Sequence, residues 1–221
     1  DISLYNSNAD SYTYISPDVI PAKLPSNVAI DGGYNNTYGH SIVSGIRLDY
    51  GITHKTTGSS DTGSDRNISL FGDIEGKIEN LIIENSSVNY DVINTQIIYP
   101  TLQEERRTIS LLGNIKSNSR LLNDCEINCD TNYFNDYSNG SERKNATHVG
   151  IVFGYTETST ATNSETVHGL MIKGNLNVYA YRENGSLNYA NNYGPLIGAI
   201  EVSTNNIFKQ VAVLVNINYY S

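Results

Sequence analysis

The sequence predicts an all-β fold, a parallel β-solenoid of about five coils with long side loops, and three observations carry that prediction. An apolar run ending in glycine recurs at a near-constant interval. A second block of alternating apolar residues follows each copy. No helical pattern survives between the copies once they are compared with one another.

The first block is seen in "NISLFGDI", "TISLLGNI", "VGIVFGYT" and "GPLIGAI", with glycines at 72, 113, 154 and 198, in steps of 41, 41 and 44 residues. A weaker match, "NVAIDGG", places Gly32 40 residues before Gly72. The repeated glycine is expected at a tight corner between two strands, where a side chain would clash or φ must be positive.

The second block spaces three apolar residues in the same way in five copies. They are Val43/Ile46/Leu48, Ile78/Leu81/Ile83, Leu122/Cys125/Ile127, Val167/Leu170/Ile172 and Phe208/Val211/Val213. Read alone, residues 76–85 carry the i, i+3, i+4 spacing of an amphipathic helix. The equivalent stretches "GNLNVYAY" and "VLVNINYY" alternate in a way no stable helix does, so the block is a strand in each copy. Parallel strands at a fixed period cannot bury their apolar faces singly, and stacking aligns like positions into interior ladders. Cys125 is thereby predicted to share a buried ladder with Ile46, Leu81, Leu170 and Val211, as a small apolar side chain. At about 3.3 Å per residue, Cys129 on the same strand lies roughly 13 Å from Cys125, too far for a mutual disulfide.

A coil of this length exceeds what its strands need. The surplus falls after the same strand each time, in residues 49–66, 89–107, 131–147 and 179–193, which predicts loops along one side of the stack. Residues 1–25 hold three prolines and no full repeat, so they are read as a segment that caps or wraps the first coil, leaving 26–221 as one solenoid domain.

The composition agrees. The chain has 221 residues, 38% of them hydrophobic and 17% charged, so its surface must be polar largely through Asn, Ser, Thr and its 17 Tyr. A net charge of −9 disfavours nucleic acid and anionic membranes as partners, since both attract a basic face. No apolar run approaches the length of a membrane-spanning helix.

These blocks resemble the GLUG-type repeats of bacterial surface proteins. "GIVFG" and "GPLIG" match the family's "G-G-L-V-G"-like strand, and "ISLFG" and "ISLLG" match it without the leading glycine. "IENLIIENSSV" and "VHGLMIKGNLNV" match its second, "I-x-N-x-x-V-x-G-x-V"-like strand. The resemblance covers about residues 28–217. It implies a right-handed parallel β-helix of the kind found in large adhesins and in the non-catalytic region of IgA-specific zinc metallopeptidases, and hence an extracellular or cell-surface location.

Catalytic motifs are thin. Asp61-Thr62-Gly63-Ser64 has the letters of an aspartic-protease site, but that chemistry needs two sheltered carboxylates, no second copy exists, and the flanks are those of an exposed turn. His40, His54, His148 and His168 fall at different repeat phases and form no metal-binding pair. Asp124, Glu126 and Asp130 lie near Lys116 and Lys173 in neighbouring coils without an obvious completed site. The chain is therefore read as a non-enzyme with no metal or cofactor, the alternative being a β-helical carbohydrate-active enzyme.

The remaining chemistry is that of Tyr, Asn and Ser near the side loops. Tyrosine offers a rigid apolar face with a polar tip, and Asn and Ser adapt their hydrogen bonds, as paratope surfaces do. Surface β preference would give the same composition. On the binding reading, Tyr133, Tyr137, Tyr181 and Tyr189 are the candidate ligand-binding residues, with a host or matrix protein or a glycan as partner. The uncapped "VAVLVNINYYS" and the echo of "ISLFG" in "DISLY" add end-to-end self-association, as in a surface polymer.

Overall fold

The computed structural model describes residues 23–35, 39–52, 66–92, 107–116, 121–136, 147–156, 164–181, 191–200 and 206–220. Every regular element among them is a β-strand. In chain order these are β1 (Ala29–Asp31), β2 (Tyr34–Asn35), β3 (Gly39–Ser44), β4 (Arg47–Ile52), β5 (Arg66–Ile68), β6 (Asp73–Ile74), β7 (Lys77–Glu79) and β8 (Leu81–Val92). There follow β9 (Arg107–Ile109), β10 (Gly113–Ile115), β11 (Leu122–Asp136), β12 (Thr147–Gly150), β13 (Phe153–Thr156), β14 (Ser164–Tyr181), β15 (Asn191–Gly194), β16 (Ile197–Ile200) and β17 (Asn206–Tyr220).

The strands form three sheets whose pairings are parallel, apart from the short antiparallel β2–β3 contact. The largest stacks β4, β8, β11, β14 and β17 edge to edge, with β1, β2, β3 and β7 beside them. The second runs β16-β13-β10-β6 and the third β15-β12-β9-β5. Residues 76–85, ambiguous in isolation, are β7 and β8.

Register follows the repeat. Cys125 pairs with Leu170 and Leu170 with Val211, while the Ile82–Glu126 pair sets Leu81 beside Cys125. Leu81, Cys125 and Leu170 are buried, and Val211 packs against the same core. Neighbouring ladders such as Ile83–Ile127–Ile172 fill the interior with branched aliphatic side chains, which suit a pleated, buried surface.

The first coil departs from its expected alignment. Ile30 pairs with Ile78 and Asp31 with Glu79, so Gly32 lies beside Asn80, not Gly72. Likewise Val43 pairs with Ile83 and Leu48 with Val88, and it is Ser41, not Ile46, that sits next to Leu81. A strand that alternates for many residues accepts an apolar partner at more than one register. Here Gly45, with φ 80°, separates β3 from β4, and Asn85 opposite it, with φ 50°, bends β8 without ending it, so both change phase. Of the segment expected to cap the first coil, only Lys23–Pro25 falls among the described residues, where Leu24 bridges to Ile74 and is buried.

The repeated glycines stand just after bends, and at three of them a side chain would clash, as the tight corner predicts. The bends fall at 69–70, 111–112, 151–152 and 195–196, just before the glycines. Stacked hydrogen bonds such as Leu70 N–H to Leu111 O and Leu111 N–H to Ile151 O, both 2.9 Å, carry these bends from one repeat to the next. Gly113 and Gly198 permit close approach of neighbouring backbone, and Gly154 that of a neighbouring side chain. A Cβ on Gly154 would lie 2.8 Å from Thr108 Cβ.

A second corner has a clear conformational cause. Asn80, Asp124, Gly169 and Gln210 occupy one register between β7 or its equivalents and the long strands, and all four have φ between 50° and 66°. Asn, Asp and Gly tolerate this left-handed conformation, whereas for most other residues it costs about 1–2 kcal/mol. Gln210 is exposed, so its side chain returns little in packing. Gln210→Gly should raise stability by about 0.5–1 kcal/mol, read as a higher urea midpoint. An unchanged or lower midpoint would show that the corner carries no strain at that residue.

Cys125 and Cys129 are both buried and unbonded. Burial, with a smaller push from the Asp130 carboxylate, raises the Cys129 thiol to about 12. Burial likewise raises Cys125. At pH 8 the folded chain should resist iodoacetamide, and both thiols should react once it is denatured without reductant. A denatured chain that takes up no label would overturn the free-thiol assignment.

Candidate functional site

Alternation on the long strands sends one set of residues inward and the other outward. The outward set carries carboxamides at matching positions, and stacking in register turns them into ladders. Asn218 Nδ2 donates to Asn177 Oδ1 (2.8 Å), Asn177 Nδ2 to Asn132 Oδ1 (2.7 Å) and Asn132 Nδ2 to Asn89 Oδ1 (2.7 Å). Asn89 Nδ2 closes the series on Asp49 Oδ1 at 2.5 Å. A parallel ladder runs from Asn216 Nδ2 to Asn175 Oδ1 (3.0 Å) and from Asn175 Nδ2 to Asp130 Oδ1 (2.7 Å).

Both ladders point the same way, each amide donating to the coil before it. An acid ends each, because a carboxylate only accepts. Each bond contributes about 1 kcal/mol and, more usefully, fixes the register of neighbouring coils.

Two residues beyond the longer ladder, an aromatic column continues outward. Phe134 and Tyr179 have ring centroids 5.9 Å apart, and Tyr179 and Tyr220 stack at 4.4 Å with planes 3° apart. Loss of water, then the neighbouring Tyr220, pushes the Tyr179 hydroxyl above its ordinary range.

Tyr133, expected at a ligand surface, is instead in the core. It is 1% exposed, its ring stacks on Tyr90 at 5.2 Å, and Tyr193 lies 6.0 Å beyond. Counting by twos from Cys125 through Ile127, Cys129 and Thr131 reaches Tyr133 on the inward face, a signal present in the sequence. Burial removes it from the ligand-binding set. Tyr181 ends β14 with its backbone paired to Asp136. Its side chain, together with Tyr137 and Tyr189, lies outside the described residues, as do Asp61 and His54.

The strands that lead into the long inserted segments end side by side. Ile52 pairs with Val92, Val92 with Asn135, and Asp136 with Tyr181. The strands that follow the segments restart in register too, with Arg107 paired to Arg66 and to Thr147, and Thr147 to Asn191. The strand ends that flank the sequence insertions are thus in register from one repeat to the next on both sides.

Two of the acids considered for catalysis, Glu126 and Asp130, are engaged with the adjacent strand. Lys173 Nζ meets Glu126 Oε1 at 2.6 Å, and Asp130 Oδ1 accepts both the backbone N–H (2.8 Å) and Nδ2 of Asn175. Asp124 stands at the left-handed corner, exposed, accepting from Asn123 Nδ2 at 3.0 Å. Beside it runs a shallow open groove lined by Ile82, Met171, Ala212 and Glu126. Among the described residues, no three His, Cys, Asp or Glu side chains gather as a metal site would require. No helix among them is long and apolar enough to cross a membrane.

Comparison with family models, with curated proteins and with solved structures yields no match.

Proposed function

We propose that the chain is a right-handed parallel β-solenoid of about five coils that acts as an extracellular structural or adhesive module, holding a protein or glycan through its Tyr- and Asn-rich side segments. The observation that carries this reading is the register at both ends of the inserted segments. The strand ends that flank the four insertions lie about 4.8 Å apart from repeat to repeat, a spacing that supports a shared ligand-binding surface. The scaffold beneath is cross-linked by its amide ladders, which favours a rigid platform and reduces the ordering cost of binding. The resemblance to GLUG-type repeats supports the surface location and the handedness.

The test is the triple substitution of Tyr137, Tyr181 and Tyr189 by Ser. Capture of the best ligand on glycan and protein arrays should fall about tenfold or more, with circular dichroism and melting temperature little changed. Unchanged capture would put the binding residues elsewhere. Tyr133→Ser should instead lower the melting temperature, because it empties a buried ring site.

A further inference from the structure

Tyr179 on β14 and Tyr220 on β17 are register partners, so their side chains leave the sheet on the same face at strand spacing. Their rings stack with centroids 4.4 Å apart and planes 3° from parallel. In-register stacking of this kind sets like atoms over like atoms, which brings the ortho carbons of the two phenols face to face. Neither ring is locked in the core. Tyr220 is 50% exposed and Tyr179 is half-buried, so both can turn about their side-chain torsions without disturbing interior packing.

Other aromatic pairs among the described residues lack one of these conditions. Phe134, which continues the column past Tyr179, and His148, which stacks on Tyr155, supply no second phenol. Tyr90 and Tyr133 stack at 5.2 Å, but both are buried and their rings are fixed by the core around them. Tyr193 meets Tyr133 at 6.0 Å and Tyr219 at 6.2 Å, with planes 47° and 53° apart.

We infer that Tyr179 and Tyr220 are an oxidative cross-linking site, joined ortho carbon to ortho carbon as dityrosine by peroxide acting through a haem peroxidase. Each phenol gives up one electron and one proton and becomes a phenoxyl radical. The two radicals form one C–C bond, and the hydrogen on each bonded carbon moves to the oxygen of its own ring, restoring both phenols. One peroxide is reduced to two waters for each bond made. The product ties β17 covalently to β14 and constrains the unfolded chain as a disulfide does. This concerns the outer face of the long strands and does not depend on the ligand reading proposed above.

The test treats the full chain, at micromolar concentration, with a haem peroxidase and hydrogen peroxide, then isolates the monomer and digests it with trypsin. Peptide 174–182 should be found joined to peptide 210–221, two hydrogens lighter than their sum, with fragment ions placing the bond on Tyr179 and Tyr220. Tyr179→Phe should lose this species while keeping its circular dichroism, and Tyr219→Phe should retain it. Absence of the joined peptides from the wild-type monomer would overturn the inference. So would their persistence in Tyr179→Phe, which would place the bond on Tyr181, or a bond found between Tyr90 and Tyr133 instead.

Discussion

Leu170→Ala should lower the unfolding free energy by about 2–5 kcal/mol, measured by guanidinium denaturation followed through the β-sheet circular dichroism band. Leu170 is 2% exposed and lies between Cys125 on one coil and Val211 on the next. Removing its isobutyl group loses the transfer free energy of the buried atoms and leaves a cavity. Backbone pairing on both sides holds the adjacent coils at strand spacing, so the walls cannot readily move in, which places the cost toward the upper part of that range. The same column supplies its own control. Val211 is only partly covered, because it stands on the edge strand, so Val211→Ala should cost about 1 kcal/mol or less. Equal losses at the two positions would mean that the column does not run from interior to edge.

That column was legible because its signal is redundant. Leu81, Cys125, Leu170 and Val211 each hold the middle place of the second block's apolar triplet, and four copies outvote any single ambiguous stretch, including the helical spacing of residues 76–85. The first coil was not legible for the opposite reason. It has one weak copy of each block, and the break at Gly45 and Asn85 shifts the phase by an amount that composition does not encode. The left-handed corner was hidden by chemistry. Asn80, Asp124 and Gly169 are types that favour positive φ, but Gln210 is not, so the four residues do not read as one set.

The candidate site was legible only in its composition. Asn and Tyr stand out in the composition, yet many of them serve the scaffold: Asn89, Asn132, Asn177 and Asn218 bind one another, and Tyr133 fills the core. A side chain's direction on a strand depends on a count by twos from a known interior residue, and grouping tyrosines by proximity to the loops discards that count. The inserted segments have no repeat among themselves, so nothing in their sequences fixes a shared geometry.

Gly198→Ala should cost about 3 kcal/mol or more and could prevent folding at 37 °C. A Cβ at this position would lie 2.6 Å from Gly154 O, 2.6 Å from Val149 N and 2.8 Å from the carbonyl carbon of His148. All three are backbone atoms belonging to paired strands, β12 and β13, which cannot rotate aside as a side chain would. Relief requires β16 to move away from both, weakening its pairing with β13 at Phe153–Ile197 and Tyr155–Ala199. Gly33 isolates the other penalty of losing a glycine. Its φ is +67° and a Cβ there meets nothing within 4 Å, so Gly33→Ala should cost only about 1 kcal/mol of backbone strain. Comparing the two variants by thermal unfolding separates steric closure from conformational preference. If Gly198→Ala were no worse than Gly33→Ala, the two arms of the coil would have room to part, and the repeated glycine would not be required for their close approach.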